Sequence, residues 1–452
     1  MKALLLLAVV LCAALPTLWI AAALPVLWVL QRLLPPELAG LVRLGPVELA
    51  PVDLVILLLF GKLAVSSVVK KEVVWDRPLY LALGGYLVVN FIATLLAGIK
   101  FGEPQLVRCA TSLARFISEL LVVPIIAQCV QTLPHAKLCI RVLLGTVAVL
   151  AVIQFFNYFG AGRGWIIGEV QGIERGELRY FGPVGDSVGM VLLLGFIASL
   201  CFANLAGTAL FLGGILLTAG LGAMLATGVG TGLFLLFGTN TAPVREFARR
   251  KLFLLPILAL GGVMTLFVFA KPLTKTLTDR LSTGTFAQSG AQRGTSAQLA
   301  AVMILDNPFF GVGYMGYERA LGSYGGDRYF DLDQPDGATA NANNQLLQAL
   351  TDSGVFGLLA FGALIFAAAQ IFLRVAARTD DRLVATFFLS AFLWLLAQVF
   401  GNLAAVWLNP SSFVARLLWV SLGIAVAVAR LLPATTVLPA EIPRPEPELL
   451  PA

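Results

Sequence analysis

Charge is scarce in this sequence. Only 12% of its 452 residues are Asp, Glu, Lys or Arg, while 59% are hydrophobic; soluble domains carry roughly 25% charged residues. That excludes a soluble enzyme. With a mean hydropathy of +0.90, the chain is expected to cross a membrane many times. The net charge of +6 is too small for a nucleic-acid footprint and fits the inward bias of basic loops in membrane proteins. Histidine is scarcer still, with His135 alone in the chain. The five cysteines, Cys12, Cys109, Cys129, Cys139 and Cys201, lie in or near apolar runs without CxxC or CxxxC spacing. They point to packing, not to a disulfide framework or a zinc site.

What is abundant is apolar sequence. A membrane helix needs about 20 apolar residues, and on that length rule about twelve spans are predicted. They are 3–30, 50–68, 79–98, 109–131, 142–159, 184–203, 208–225, 228–240, 252–270, 354–373, 383–405 and 413–432. The first run continues well past the ~7–15 residues of a signal-peptide core and has no polar cleavage region. It is expected to stay as a first span, kinked near Pro16 or Pro25. The pair 208–225 and 228–240 is glycine-rich and short, which suits a broken or re-entrant hairpin surrounded by protein.

Four linkers are basic: "VVKKEVVWDRP", "PHAKLCIR", "VREFARRK" and "LRVAARTDDR". Counting spans alternately puts all four on one side, which the positive-inside rule makes cytoplasmic. Both termini then lie inside, and 433–452 is expected to be a disordered Pro/Glu tail. Segments 160–183 and 271–353 fall outside. The expected organisation is nine spans over 1–270 with a short external loop at 160–183. A large external loop over 271–353 follows, and then three further spans over 354–432. A long loop in a chain that otherwise keeps its loops minimal is where function is expected.

Two arginines stand out there. Arg179 lies in "ELRYFGPVGDSVG", and Arg293 in "GAQRGTSAQLAAVMILDNPFFGVG". Leu299, Val302 and Met303 recur at helical spacing after Arg293, predicting an interfacial helix that stops at Asn307-Pro308. Guanidinium groups fork onto phosphate oxygens and remain charged, so two of them at a membrane surface suit a lipid-linked pyrophosphate. Lipid snorkelling is the plainer role for such arginines. Gly311, Gly313 and Gly316 permit a tight turn close to a membrane or ligand. The run Asn341-Ala342-Asn343-Asn344-Gln345 gathers amides, with Gln348 following. Amides both donate and accept, as sugar hydroxyls require, and Asn is also a good helix N-cap. Asp336 is the carboxylate nearest the amides in the preceding loop, and Glu318 is another external acid. Tyr324 offers a ring for stacking on a sugar or for packing the loop. Asp352, nine residues past Asn343, falls on the opposite helix face at about 100° per residue, and is expected to be structural. Within the predicted spans Lys62, Arg115 and Glu119 are charged, and Arg115 and Glu119 are spaced to pair.

"ILDNPFFGVGYMGYERAL" followed by "ANNQLLQALTDSGVFGLL" resembles the O-antigen ligase and polymerase family of bacterial inner-membrane glycosyltransferases. The family pattern has an Arg before a helix, a Pro-x-x-Gly-Val-Gly turn, a His-Asn/Ser helix start, a Leu-Gln pair and an acidic-x-Gly-x-x-Gly step. Arg293, Pro308, Gly311, Val312, Gly313, Asn344, Leu347, Gln348, Asp352, Gly354 and Gly357 stand in register with it, and Arg179 with Gly182 match an upstream Arg-x-x-Gly. The family histidine, thought to be the base on the acceptor hydroxyl, is Asn343 here, and His135 falls in a cytoplasmic linker.

The resemblance implies an all-α, GT-C-like polytopic membrane protein of the bacterial inner membrane, acting on its periplasmic face without cofactor, nucleotide or metal. Its donor would be a polyprenyl-pyrophosphate-linked oligosaccharide and its acceptor a glycan or a second lipid-linked repeat unit. Membrane lipids surround it, a chain-length regulator is a possible partner, and no nucleic acid is involved. Arg179 and Arg293 would hold the pyrophosphate, with Asn343 and Asp336 serving the acceptor hydroxyl. Asn344, Gln348, Gly311, Gly313, Glu318 and Tyr324 would form the substrate surface. The missing histidine favours the polymerase branch over a ligase acting on lipid A core or protein. A lipid-glycan transporter would need an internal inverted repeat, which the sequence lacks. A peptidoglycan polymerase of the cell-shape family fits the glycine turn less well.

Overall fold

The computed structural model describes residues 15–33, 42–44, 47–49, 51–70, 76–160, 165–172, 178–182, 187–218, 221–238, 285–326, 342, 344–401 and 412–432. The described chain is helical apart from two short hairpins. The helices are α1 (Thr17–Leu33), α2 (Pro51–Lys70), α3 (Arg77–Phe101), α4 (Glu103–Leu120), α5 (Val122–Cys129), α6 (Leu133–Gly160), α7 (Val188–Phe202), α8 (Leu205–Leu217) and α9 (Leu221–Leu233). After them come α10 (Thr285–Asp306), the single turn α11 (Tyr317–Ala320), α12 (Gln345–Arg378), α13 (Arg382–Gly401) and α14 (Phe413–Leu431). The hairpins pair β1 (Val42–Leu44) with β2 (Val47–Leu49) and β3 (Glu169–Gly172) with β4 (Leu178–Gly182), both antiparallel. Each lies between helices and is only three to five residues deep, so the all-α fold class stands.

Among the described residues, six helical segments are long and apolar enough to cross a membrane: Arg77–Phe101, Glu103–Cys129, Leu133–Gly160, Gln345–Arg378, Arg382–Gly401 and Phe413–Leu431. The chain is thus a multi-pass helical membrane protein. The other expected spans are not established by length: within the described residues, 17–30 of the first falls in α1, 184–203, 208–225 and 228–240 overlap shorter apolar helices, 50–68 corresponds to α2, and 252–270 lies outside the described residues. Pro25 is accommodated inside α1, which starts directly after Pro16.

Apolar periodicity explains the layering. α7 is apolar on every side, and every residue from Val188 to Cys201 is buried, as expected of a helix without a polar stripe. Glycines let its neighbours close in. A Cβ at Gly214 of α8 would press on Leu192, and one at Gly401 of α13 on Met190. From α13, the Trp394 Nε1 and Gln398 Nε2 groups donate to the Met190 carbonyl at 2.9 and 3.1 Å.

The two ends of the bundle differ in chemistry. At one, Arg374 pairs with Asp76 at 2.8 Å, Lys137 pairs with Asp381, and Arg430 donates to the Val130 carbonyl at 3.0 Å. Three of the four basic linkers contribute here; the fourth, 244–251, lies outside the described residues. At the opposite end stand the start of α4, the end of α10, the α11 turn and the start of α12. In mid-bundle, Arg416 Nε donates to Glu119 Oε1 at 3.0 Å, and the guanidinium lies 5.2 Å from the Trp28 ring centroid. A charged partner of Glu119 thus comes from α14, in addition to the Arg115 that helical spacing suggests.

Candidate functional site

α10 carries Arg293, exposed, and ends where expected, at Asn307-Pro308. Asn307 finishes the helix with its own side chain. Its Nδ2 donates to the Met303 carbonyl and to Tyr324 Oη, each at 3.0 Å, and its Oδ1 accepts from Lys100 Nζ at 2.7 Å. Tyr324 Oη donates to Asp306 at 3.2 Å, so this tyrosine ties the helix end to the loop beyond it. Glu318 pairs with Arg108 of α4 at 3.0 Å, with both side chains about half exposed.

The stretch from Pro308 to Tyr317 turns back into the bundle. Tyr314 is buried, with its ring 5.4 Å from that of Phe116. Gln105, near the start of α4, holds the turn from the side: its Nε2 donates to the carbonyls of Val312 and Gly316 at 2.8 and 3.0 Å.

The other half of the site is a break in α12. Gly354 has φ +65° and ψ −163° inside an otherwise continuous helix. A helix broken there leaves carbonyls and N–H groups without helical partners, and the glycine turn supplies them. Val312 N–H donates to the Thr351 carbonyl at 2.9 Å and Gly313 N–H to the Asp352 carbonyl at 2.8 Å. In return Val355 N–H donates to the Pro308 carbonyl at 2.8 Å. The fit leaves no room for side chains. A Cβ on Gly311, at φ +65°, would collide with the Thr351 carbonyl, and one on Gly354 with the Phe309 backbone. The two glycine motifs are thus halves of one backbone interlock.

Within it lies a cavity about the size of one water molecule, lined by Tyr86, Asn90, Tyr314, Gln345, Gln348, Asp352 and Ser353 together with Met315 and Ala349. Asp352 is 4% exposed. Its carboxylate accepts from Gln348 Nε2 at 2.9 Å, and the backbone amides of Met315, Gly316 and Tyr317 face it. Ser353 Oγ donates to Asn90 Oδ1 at 2.5 Å. Gln348 uses its other end as well, its Oε1 accepting from Ala342 N–H at 2.9 Å. Asn344 caps α12, its Oδ1 accepting from the N–H groups of Leu346 and Leu347 at 2.9 and 3.0 Å. Tyr317 Oη donates to the Ser296 carbonyl at 2.8 Å; burial pushes its phenol up to about 12, so it remains a donor at neutral pH.

The structure therefore brings Gly311, Gly313 and Gln348 together around Asp352, with Asn344 capping the same helix and Glu318 and Tyr324 on the adjoining α11 loop. Arg293 stands on the helix that Tyr317 holds. Arg179 lies in β4 opposite Gln171, in a hairpin that packs on α6. Asn343 and Asp336 lie outside the described residues. Among the described residues, no three His, Cys, Asp or Glu side chains gather where a metal could be held. Lys100, Gln105 and Arg108 were missed by sequence reasoning. Their signal was the polar stretch "KFGEPQLVR" directly before an apolar run.

Residues 206–362 match the family model described as O-antigen ligase. The matched segment contains Arg293, the glycine turn and the amide-capped start of α12, so the family resemblance carried by those motifs holds. It leaves out Arg179. A comparison with curated proteins gave no match.

Proposed function

We propose that the protein is a glycosyltransferase of the O-antigen polymerase type, acting on the outer face of the inner membrane. It moves glycan from a polyprenyl diphosphate onto the terminal sugar of a second lipid-linked repeat unit. The observation that carries this reading is the interlock within the family-matched segment. It joins the Arg293 helix and the amide-capped helix start at one end of the bundle, opposite the end that gathers basic linkers.

In the proposed reaction an acceptor hydroxyl oxygen attacks the anomeric carbon of the donor. The bond from that carbon to the diphosphate oxygen breaks, and polyprenyl diphosphate leaves. Arg179 and Arg293 bind the diphosphate and stabilise its growing charge. Amides at Asn343 and Asn344 orient the hydroxyl, and an external carboxylate, Asp336, accepts its proton. Glu318 and Tyr324 border the acceptor path. Twelve spans and a large external loop over 271–353 belong to the same proposal, as does a regulator of chain length.

The description of the matched family as a ligase supports a second reading, transfer to lipid A core or to protein. Asn343 in the histidine position favours the polymerase, because an amide cannot take a proton at neutral pH. The test is to supply purified protein with donor alone and then with a lipid A core. Extension of the donor supports the polymerase, transfer only to the core supports the ligase, and neither product removes both readings.

A further inference from the structure

We infer that Tyr317, Gln348 and Asp352 form a positioning relay that fixes the arginine helix α10 against the amide start of α12. Its purpose rests on the glycan-transfer reading above, while its geometry does not. The path starts one helical turn beyond Arg293, at Ser296, which is 1% exposed and whose carbonyl takes the Tyr317 hydroxyl. Tyr317 closes the glycine turn, whose Gly313 N–H is bonded to the Asp352 carbonyl. The Asp352 carboxylate takes Gln348 Nε2, and Gln348 Oε1 takes Ala342 N–H. The next two residues are Asn343 and Asn344. All three side chains are buried, at 1%, 3% and 4% exposure.

Packing alone does not call for such a path. A buried carboxylate carries a desolvation cost that apolar side chains of similar volume avoid. Fully bonded polar networks instead define one geometry among several that would pack equally well. Glycan transfer needs such a definition. The diphosphate and the hydroxyl bind to different segments, and a misplacement of about 1 Å between reacting groups costs on the order of 100-fold in rate. None of the three residues needs to touch substrate. They act through Arg293 and the amides, and are positioning residues.

The test uses the full-length protein in lipid nanodiscs with Tyr317→Phe, Gln348→Met and the double variant. Tyr317→Phe keeps the buried ring and removes only the hydroxyl. Backbone hydrogen exchange is followed by mass spectrometry, and turnover is measured with a polyprenyl-diphosphate-linked oligosaccharide. Gln348→Met is expected to speed exchange at Ala342 and also across 311–317 on the far side of Asp352. Each single variant should lower kcat about tenfold, the worth of one hydrogen bond, with donor KM within about twofold. The double variant should lose no more than the worse single, because both cut one path. Exchange changes confined to Ala342, kcat losses that multiply, or an unchanged kcat would each overturn the relay. If the wild-type protein transfers nothing, that failure falls on the glycan-transfer reading, and the exchange result alone decides the relay.

Discussion

Arg293 is exposed on α10, and a guanidinium is charged at every working pH. If it holds the leaving diphosphate, Arg293→Ala should lower turnover by about 100-fold or more, the range for one lost transition-state donor. Thermal stability should stay near wild type, since exposed substitutions shift it by about 0.5 kcal/mol or less. Near-normal turnover in a steady-state assay would remove Arg293 from the site. At Asn343 the change worth making is to histidine. Asn343→His restores a group that titrates near neutrality, and is expected to add transfer to a lipid A core, read on a gel. Unchanged products would show that this position does not divide the two activities. The amides illustrate how a residue type underdetermines its role. Asn344 was legible both as a sugar contact and as a cap, and the structure shows it capping α12. Gln348, expected at the substrate surface, is buried with both ends of its amide bonded inside the protein.

The elements show which parts of the fold can be seen from local sequence. The long spans were visible because apolar length is a local property, and the end of α10 because Asn-Pro is a local stop. The break in α12 was not. Gln345–Arg378 reads as one helix, and its partner is a turn some forty residues upstream that supplies hydrogen bonds across space. Gly354→Ala places a Cβ against the Phe309 backbone at a positive φ. It should destabilise by about 1–3 kcal/mol or more, seen as a lower unfolding midpoint in detergent. A wild-type midpoint would show the interlock to be slack. The Glu119–Arg416 pair spans 297 positions, so i, i+4 spacing could not reveal it. Arg416→Met should cost about 3–5 kcal/mol by removing one partner of a buried charge pair, whereas the double change with Glu119→Leu should recover much of that. Equal losses in the single and the double would show that the pair is not what the substitution disturbs.

Across the described residues, three of the positive linkers and the glycine interlock occupy opposite ends of the bundle, which gives it a polarity. The sequence carried that polarity through Lys and Arg placement and through the long segment after 270. It did not carry the depth to which the glycine turn enters the bundle, because Tyr314 meets Phe116 only once α4, α10 and α12 have assembled. The central claim is that one protein lengthens a lipid-linked glycan without a second kind of acceptor. The direct measurement gives purified protein a polyprenyl-diphosphate-linked repeat unit as its only substrate, in EDTA, and runs the products on a gel. A ladder of glycans, each longer by one repeat, is the expected result. A single unextended band, with transfer appearing only when a lipid A core is added, would contradict it.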